Sequence, residues 1–187
     1  QTCNVIGLDD ATLIGGPPVM LEGRLEDLRR SDGVIVDVDG ATPALLFAAA
    51  RSDHVERLIR PALEKGQWVI CDRFVDSSRA YQGGAGGLCD ADVLDLHRIG
   101  SMGLLPDLTL LIEVSPEVAQ ARTAARDGDA PDRIGGRGAA YHAGVAAAFS
   151  ALAEAEPERF ARIAGDGTPE EVFQDVLAAL QTRLGAS

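Results

Sequence analysis

The sequence predicts an α/β protein with a mainly parallel sheet, on three observations. Short apolar runs alternate with longer stretches whose apolar residues recur at helical spacing. Two of those runs, Trp68–Cys71 (WVIC) and Leu108–Val114 (LTLLIEV), are near-continuous, the pattern of strands covered on both faces. Helix starts are marked by capping chemistry, most fully at Thr168-Pro169-Glu170-Glu171.

In chain order, Asn4–Leu8 and Val34–Val38 are the first strand candidates. Pro43–Leu63 is predicted as one long helix, broken or kinked at Pro61 because proline lacks the N–H that continues the helical ladder. Trp68–Cys71 follows as a strand and Asp90–Met102 as a helix. Leu108–Val114 is the next strand, and Ser115-Pro116 opens a helix directly after it. Residues 126–138 are polar and glycine-bearing, with Arg126, Arg133 and Arg137, and read as a mobile loop between helices. An alanine-rich helix is expected over Gly138–Glu154 and a strand over Phe160–Ile163. The last helix begins at Thr168, with Pro169 in its first position and Val172, Phe173, Val176, Leu177 and Leu180 at helical spacing. Neither a low-complexity linker nor a repeat interrupts this order, so a single domain over residues 1–187 is expected.

Composition narrows the function classes. With 46% hydrophobic and 25% charged residues the chain is ordinary for a soluble protein. Its net charge of −12 argues against a nucleic-acid backbone as partner, while leaving room for a small anion held by local arginines. The apolar runs are too short to span a bilayer, and the absence of a basic-then-apolar opening predicts no signal peptide. Gln1 in place of Met is compatible with a processed or truncated start. Cys3, Cys71 and Cys89 are odd in number and lack CxxC spacing, so neither a disulfide framework nor a zinc site is expected. The expected location is the cytoplasm.

The stretch richest in chemistry runs from Trp68 to Gly84. A buried strand delivers Asp72 and Arg73 at its carboxyl end, where ligands bind in open α/β sheets. The planar fork of Arg73 suits a phosphate. Asp72 could orient that arginine, bind a magnesium-linked water or accept a proton; a structural ion pair at a strand end is the plainer alternative. Ser77, Ser78, Tyr81 and Gln82 add groups able to read a base edge.

In its wider setting this stretch resembles the thymidylate kinase family, bacterial type. The resemblance is carried by LLFAAARSDHVERLIRPALEKGQWVICDRFVDSSRAYQGGAGGL over Leu45–Leu88, by LLPDLTLLIEVSPEVAQAR over Leu104–Arg122, by the spacing to Asp132-Arg133, and by FSALAEAEPERFARI over Phe149–Ile163. It covers about three-quarters of the chain. It implies a three-layer α/β/α fold of the P-loop nucleoside-kinase type. It also implies transfer of a phosphoryl group from ATP to dTMP, giving dTDP, with Mg2+ as cofactor, and a homodimer packed through helices that include Pro43–Leu63. By position, the resemblance places Phe47 on the thymine ring, Arg51 on the base edge and Arg73 on the monophosphate. Asp72 falls beside the transferring group or the metal. Ser78 and Gln82 would help select thymine, and Tyr81 would lie under the deoxyribose and disfavour a 2′-hydroxyl. Arg126 and Arg133 fall in the stretch, residues 126–138, that matches the family's lid, with Arg122 just before it.

The pattern also departs from the family. A P-loop needs glycines that let backbone N–H groups wrap phosphate, a lysine, and a Ser or Thr for magnesium. No GxxxxGK(S/T) occurs among these 187 residues, so no ATP-binding residues are assigned. The only lysine, Lys65, lies just before a strand, at the wrong end of the sheet. Thr12, Leu13 and Ile14 precede Gly15-Gly16, where the family has an Arg-Glu-Pro-Gly-Gly segment. Gly135 stands where an acid usually follows the lid's Asp-Arg, and Ala143–Ala147 lacks an arginine often found there. Counting back from Leu45 puts Gln1 beyond the family's first strand and P-loop, and Asn4–Leu8 or Val34–Val38 is expected to fill the vacated slot. Two classes of function remain: a thymidylate kinase with a truncated or damaged amino-terminal part, or a non-catalytic relative that binds nucleotide or a partner. A kinase for another nucleoside monophosphate is a third.

Overall fold

Strand and helix alternate along the chain, and the fold is α/β with mainly parallel strand pairing. The computed structural model describes residues 7–8, 11–14, 41–127 and 138–185, with side chains over 41–122, 138 and 140–185. Two compact units, Gln1–Leu105 and Pro106–Ser187, divide the chain.

In the first unit, β1 (Gly7–Leu8), β2 (Ala11–Ile14) and β3 (Trp68–Cys71) form a sheet in that order. β2 runs parallel to β3, with Ala11 opposite Trp68 and Ile14 opposite Cys71; β1 pairs antiparallel with β2. Among the described residues the neighbour of β3 is Ala11–Ile14. Of Asn4–Leu8, one of the two segments expected in the vacated slot, the described residues Gly7–Leu8 are strand and lie on the far side of β2 from β3. Val34–Val38 falls outside the described residues. Among the described residues, Val69 packs against Val55 and Ile59, while Trp68 and Ile70 are exposed.

The helix predicted over Pro43–Leu63 is in three parts: α1 (Thr42–His54), a wider π-type turn (Val55–Ile59) and α2 (Arg60–Glu64). Pro61 can supply no N–H to the carbonyl one turn back, and its ring crowds that carbonyl. The widened turn before it absorbs the mismatch, so the rod continues instead of breaking. Gly66, with φ 73°, ends it and turns the chain into β3. Val55 and Ile59 form the core, with Val69, Phe74 and Leu104 packed around them; Leu45 and Leu58 of the same rod face outward, each about half exposed.

After β3 come α3 (Val75–Ser78), a second π-type turn (Arg79–Gly84) and α4 (Asp90–Ser101). Helix α4 ends on Met102 and Gly103, both with positive φ. It packs on α1 through Gly100, where a Cβ would meet the Ala48 carbonyl and Ser52 Cβ at 3.4 Å. That near-contact brings α1 and α4 close together beside the end of β3.

In the second unit, β4 (Thr109–Glu113) and β5 (Phe160–Ala164) pair in parallel, Thr109 opposite Phe160 through Glu113 opposite Ala164. α5 (Pro116–Asp127), α6 (Ala139–Ala155) and α7 (Pro169–Leu184) complete it. Helix α5 runs through Asp127, so Arg126 is helical and not in a loop, as the sequence suggests. Residues 128–137, Arg133 among them, lie outside the described residues. The cap of α7 forms as predicted: Thr168 Oγ1 accepts from the Glu171 N–H at 3.3 Å, and the Glu171 carboxylate accepts from the Thr168 N–H at 2.8 Å.

Candidate functional site

The carboxyl end of β3 delivers Asp72 and Arg73 into solvent, both exposed. Arg73 has φ 61°, a left-handed conformation that a non-glycine residue adopts only at a cost of about 1–2 kcal/mol. The Cys71 thiol donates to the Arg73 carbonyl at 3.6 Å across this turn. The reversal lays the Arg73 guanidinium over the Tyr81 ring, 5.2 Å from its centroid. A cation parked on an aromatic face is held without being buried, and stays available to an anion.

Arg51 is its opposite. One turn beyond Phe47 on α1, it is 2% exposed, and its Nη2 donates to the Ser78 hydroxyl at the end of α3. Its guanidinium also lies 5.8 Å from the Phe74 ring centroid. Burial lowers its pKa to about 10, with Cys71 and Asp76 pulling it partly back up. It therefore keeps its charge at neutral pH. Among the described residues its Nε finds no hydrogen-bond partner, which leaves a buried donor for something else to satisfy.

Ser78 and Tyr81 are three residues apart on the turn that follows β3, so one short segment gathers both arginines: Arg51 through Ser78, Arg73 through Tyr81. Gln82 is the next residue on that turn, and both Tyr81 and Gln82 are half-buried. Phe47 is half-buried on α1. The structure thus brings Phe47, Arg51, Asp72, Arg73, Ser78, Tyr81 and Gln82 into one unit, on α1 and the β3–α4 connection. Arg126 is placed on α5 in the other unit and Arg133 is not described.

The sequence reading missed the groups beneath this site. Phe74 packs edge-on against His97, ring centroids 5.4 Å apart. His97 is 1% exposed, with Nε2 2.6 Å from the Leu104 carbonyl, and burial pushes its pKa below the usual histidine value. Arg79 is buried between Asp76 and Asp90. Neither the 7-residue step from His97 to Leu104 nor the 11-residue step from Arg79 to Asp90 leaves a periodic trace. The second unit adds Arg122, whose Nη2 donates to the Gly167 carbonyl at 3.3 Å. It rims an open cavity of about 560 Å³ lined also by Ile112, Gly165, Pro169, Val172 and Phe173.

Comparison with known proteins gives this geometry a family. The sequence model of the thymidylate kinase family matches residues 34–176. The thymidylate kinase of Rhizorhabdus wittichii is 51% identical over 137 residues, which cover 73% of this chain and 66% of that protein. For one from Rhodopseudomonas palustris the identity is 45%, covering 75% of this chain and 62% of the relative. The chain therefore matches slightly less than two thirds of the length of these relatives. The thymidylate kinase of Symbiobacterium thermophilum is 43% identical over 87% of this chain and 73% of its own. Among solved structures, the crystal structure of thymidylate kinase from Ehrlichia chaffeensis superposes with a TM-score of 0.68 at 26% identity, covering 95% of this chain and 83% of that one. By the family match, the identities and the shared fold, this chain belongs to the thymidylate kinase family.

Proposed function

We propose that the carboxyl end of β3 is a dTMP site, and that the chain's reaction, where it has one, is phosphoryl transfer from ATP to dTMP. The observation that carries this is the gathering of a buried arginine and an exposed one on the two sides of a single turn. Arg51, held by Ser78 and still carrying an unpartnered donor, suits a neutral base edge. Arg73, free to swing off the Tyr81 face, suits a phosphate. Phe47, one turn before Arg51, offers its ring to the base, and Gln82 a further amide. Tyr81, under the Arg73 guanidinium and three residues after the serine that holds Arg51, is proposed to lie under the deoxyribose.

The remaining roles rest on the family. ATP binds with Mg2+, which neutralises phosphate charge; such a metal takes one or two carboxylates and is otherwise held by phosphate and water. Asp72, exposed beside Arg73, fits that need, and among the described residues no cluster of three potential ligands suggests a metal held by protein alone. Arg126 and Arg133 are proposed for the charge on the transferring group, within a lid over residues 126–138 of one thymidylate-kinase-like domain. A homodimer through α1 and α2 would cover Leu45, Leu58 and Leu63, which are 51%, 52% and 41% exposed. From the family and the net charge of −12 we propose a cytoplasmic location, with no nucleic-acid or membrane partner.

A second reading is a relative that binds dTMP without turning it over. The chain holds no GxxxxGK(S/T), and its only lysine lies at the amino end of β3, opposite Asp72 and Arg73. Calorimetric titration of the protein with dTMP, dUMP, the ribonucleotide TMP and dGMP tests the site common to both readings. Tightest binding of dTMP is expected; equal or absent binding of all four would refute the assignment.

A further inference from the structure

The site described above uses two arginines and leaves a third, Arg79, unexplained. Its side chain is about 5% exposed. Nε and Nη2 donate to the two carboxylate oxygens of Asp90 at 2.7 and 2.8 Å, and Nη1 donates to Asp76 Oδ1 at 3.3 Å. Such a bidentate pair fixes the planes of both groups and not only their separation. Arg79 opens the turn that carries Tyr81 and Gln82, Asp76 lies on α3, and Asp90 is the first residue of α4. The pair therefore fastens the 79–90 connection end to end.

Inside that connection the chain is closed on itself. The Ala85 N–H donates to the Ala80 carbonyl, Gly87 to Gly83 and Leu88 to Gln82, all at 3.0–3.1 Å. A Cβ on Gly86 would lie 2.5 Å from the Gln82 carbonyl. Asp90 has no need of Arg79 for the sake of α4: a carboxylate in the first turn is favoured by the helix dipole, and Asp92 supplies another. The element that the pair spans is the turn.

We propose that Arg79, through Asp90 and Asp76, is a positioning residue that sets the angle of the Tyr81 ring, and with it the discrimination between deoxyribonucleoside and ribonucleoside monophosphates. This rests on the dTMP reading above. Arg79 touches no substrate; it acts by holding the turn from which Tyr81 projects and against which Arg73 rests.

Two variants of the full chain test it. Asp90→Asn keeps the side chain's shape at a position 47% exposed, and Arg79→Gln removes the fork itself. Hydrogen exchange of the Ala80–Leu88 amides is measured beside that of α1, and dissociation constants are measured for dTMP and the ribonucleotide TMP. Exchange over 80–88 is expected to rise at least about tenfold with α1 unchanged, the scale of a lost charge-assisted bond. The preference for dTMP over TMP is expected to fall by about tenfold, mostly through tighter TMP binding. Equal acceleration in α1 would make the pair a general staple of the fold and overturn the proposal. So would an unaltered preference beside a selective wild-type protein. If Arg79→Gln does not fold, Asp90→Asn decides by the same two readings. A wild-type protein that binds neither nucleotide overturns the dTMP reading and the selectivity role with it, while the exchange result still reports on the clamp.

Discussion

Arg51 and Arg73 show how one residue type serves two ends. Arg51 is buried, keeps its charge with a pKa near 10, and holds a fixed direction through Ser78. Arg73 is exposed, with its guanidinium over the Tyr81 ring and its backbone left-handed. An arginine that pairs with phosphate contributes a charge-assisted bond, so Arg73→Ala is expected to weaken dTMP binding by about 1.5–3 kcal/mol, read by calorimetry. Phe47→Ala should cost roughly 1–3 kcal/mol if the ring stacks on the base; a variant that unfolds would assign Phe47 to the core. His97 carries a separate prediction. Burial lowers its pKa, nearby Arg51 lowers it further, and the Leu104 carbonyl and Asp76 oppose the shift. The unfolded chain thus takes up a proton before the folded one as pH falls. Stability should be complete above about pH 6.5 and decline below it, toward the depressed folded-state value. His97→Gln is expected to flatten that decline in urea midpoints measured between pH 7 and 5. His54, lowered in the same direction by burial, contributes to the slope that remains. An equally steep curve in the variant would remove His97 from the account.

At the scale of elements, the parallel pair β4–β5 is closed at its carboxyl end by Gly165. A Cβ there would lie 2.7 Å from Ile112 Cγ2, 2.8 Å from Val114 Cγ1 and 2.9 Å from the Glu113 carbonyl. The Gly165 N–H donates to that same carbonyl at 2.7 Å, so the two strands cannot part without losing the bond. Gly165→Ala is expected to destabilise by about 1–3 kcal/mol, measured by urea unfolding, and a stability loss near zero would mean that β4 yields easily. Such contacts separate what the sequence reveals from what it hides. The α7 start was legible because Thr168, Pro169 and Glu171 complete their chemistry within four residues. Trp68–Cys71 was legible because its strand character is intrinsic to four apolar residues. Ala11–Ile14 was not: it is strand because β3 lies beside it, and nothing local to Ala-Thr-Leu-Ile says so. Pro61 announced a disturbance but not its form, since whether a helix kinks or widens depends on what packs around Val55 and Ile59. Phe47, Arg51 and Ser78 came from resemblance, not periodicity. The Arg51–Ser78 bond spans 27 residues and the Arg79–Asp90 bond 11, distances at which only the fold decides who meets whom.

For the whole molecule, the question is whether an acceptor site suffices for turnover. Phosphoryl transfer involves little covalent chemistry by the protein; it needs the phosphates wrapped by backbone N–H groups and their charge neutralised by lysine, metal and arginine. This chain offers arginines in Arg73, Arg122, Arg126 and Arg133, and a carboxylate in Asp72, but no glycine-rich phosphate cradle ending in lysine. Lys65 cannot stand in. It lies in the turn before β3, while Asp72 and Arg73 follow that strand, about 13 Å further along at 3.3 Å per residue. A lysine side chain spans roughly half that length, and this one starts from the opposite end of the sheet. The expected outcome with dTMP, ATP and magnesium is therefore binding of dTMP without turnover at the roughly 1–100 s⁻¹ typical of kinases. Conversion of dTMP to dTDP by the purified chain, followed alongside the dTMP titration, measures both halves at once. Turnover at that rate would show that groups other than a P-loop hold the donor phosphates here, and would turn attention to the arginines of α5 and the lid. Binding alone would mean that these 187 residues recognise the acceptor without the machinery that transfers to it.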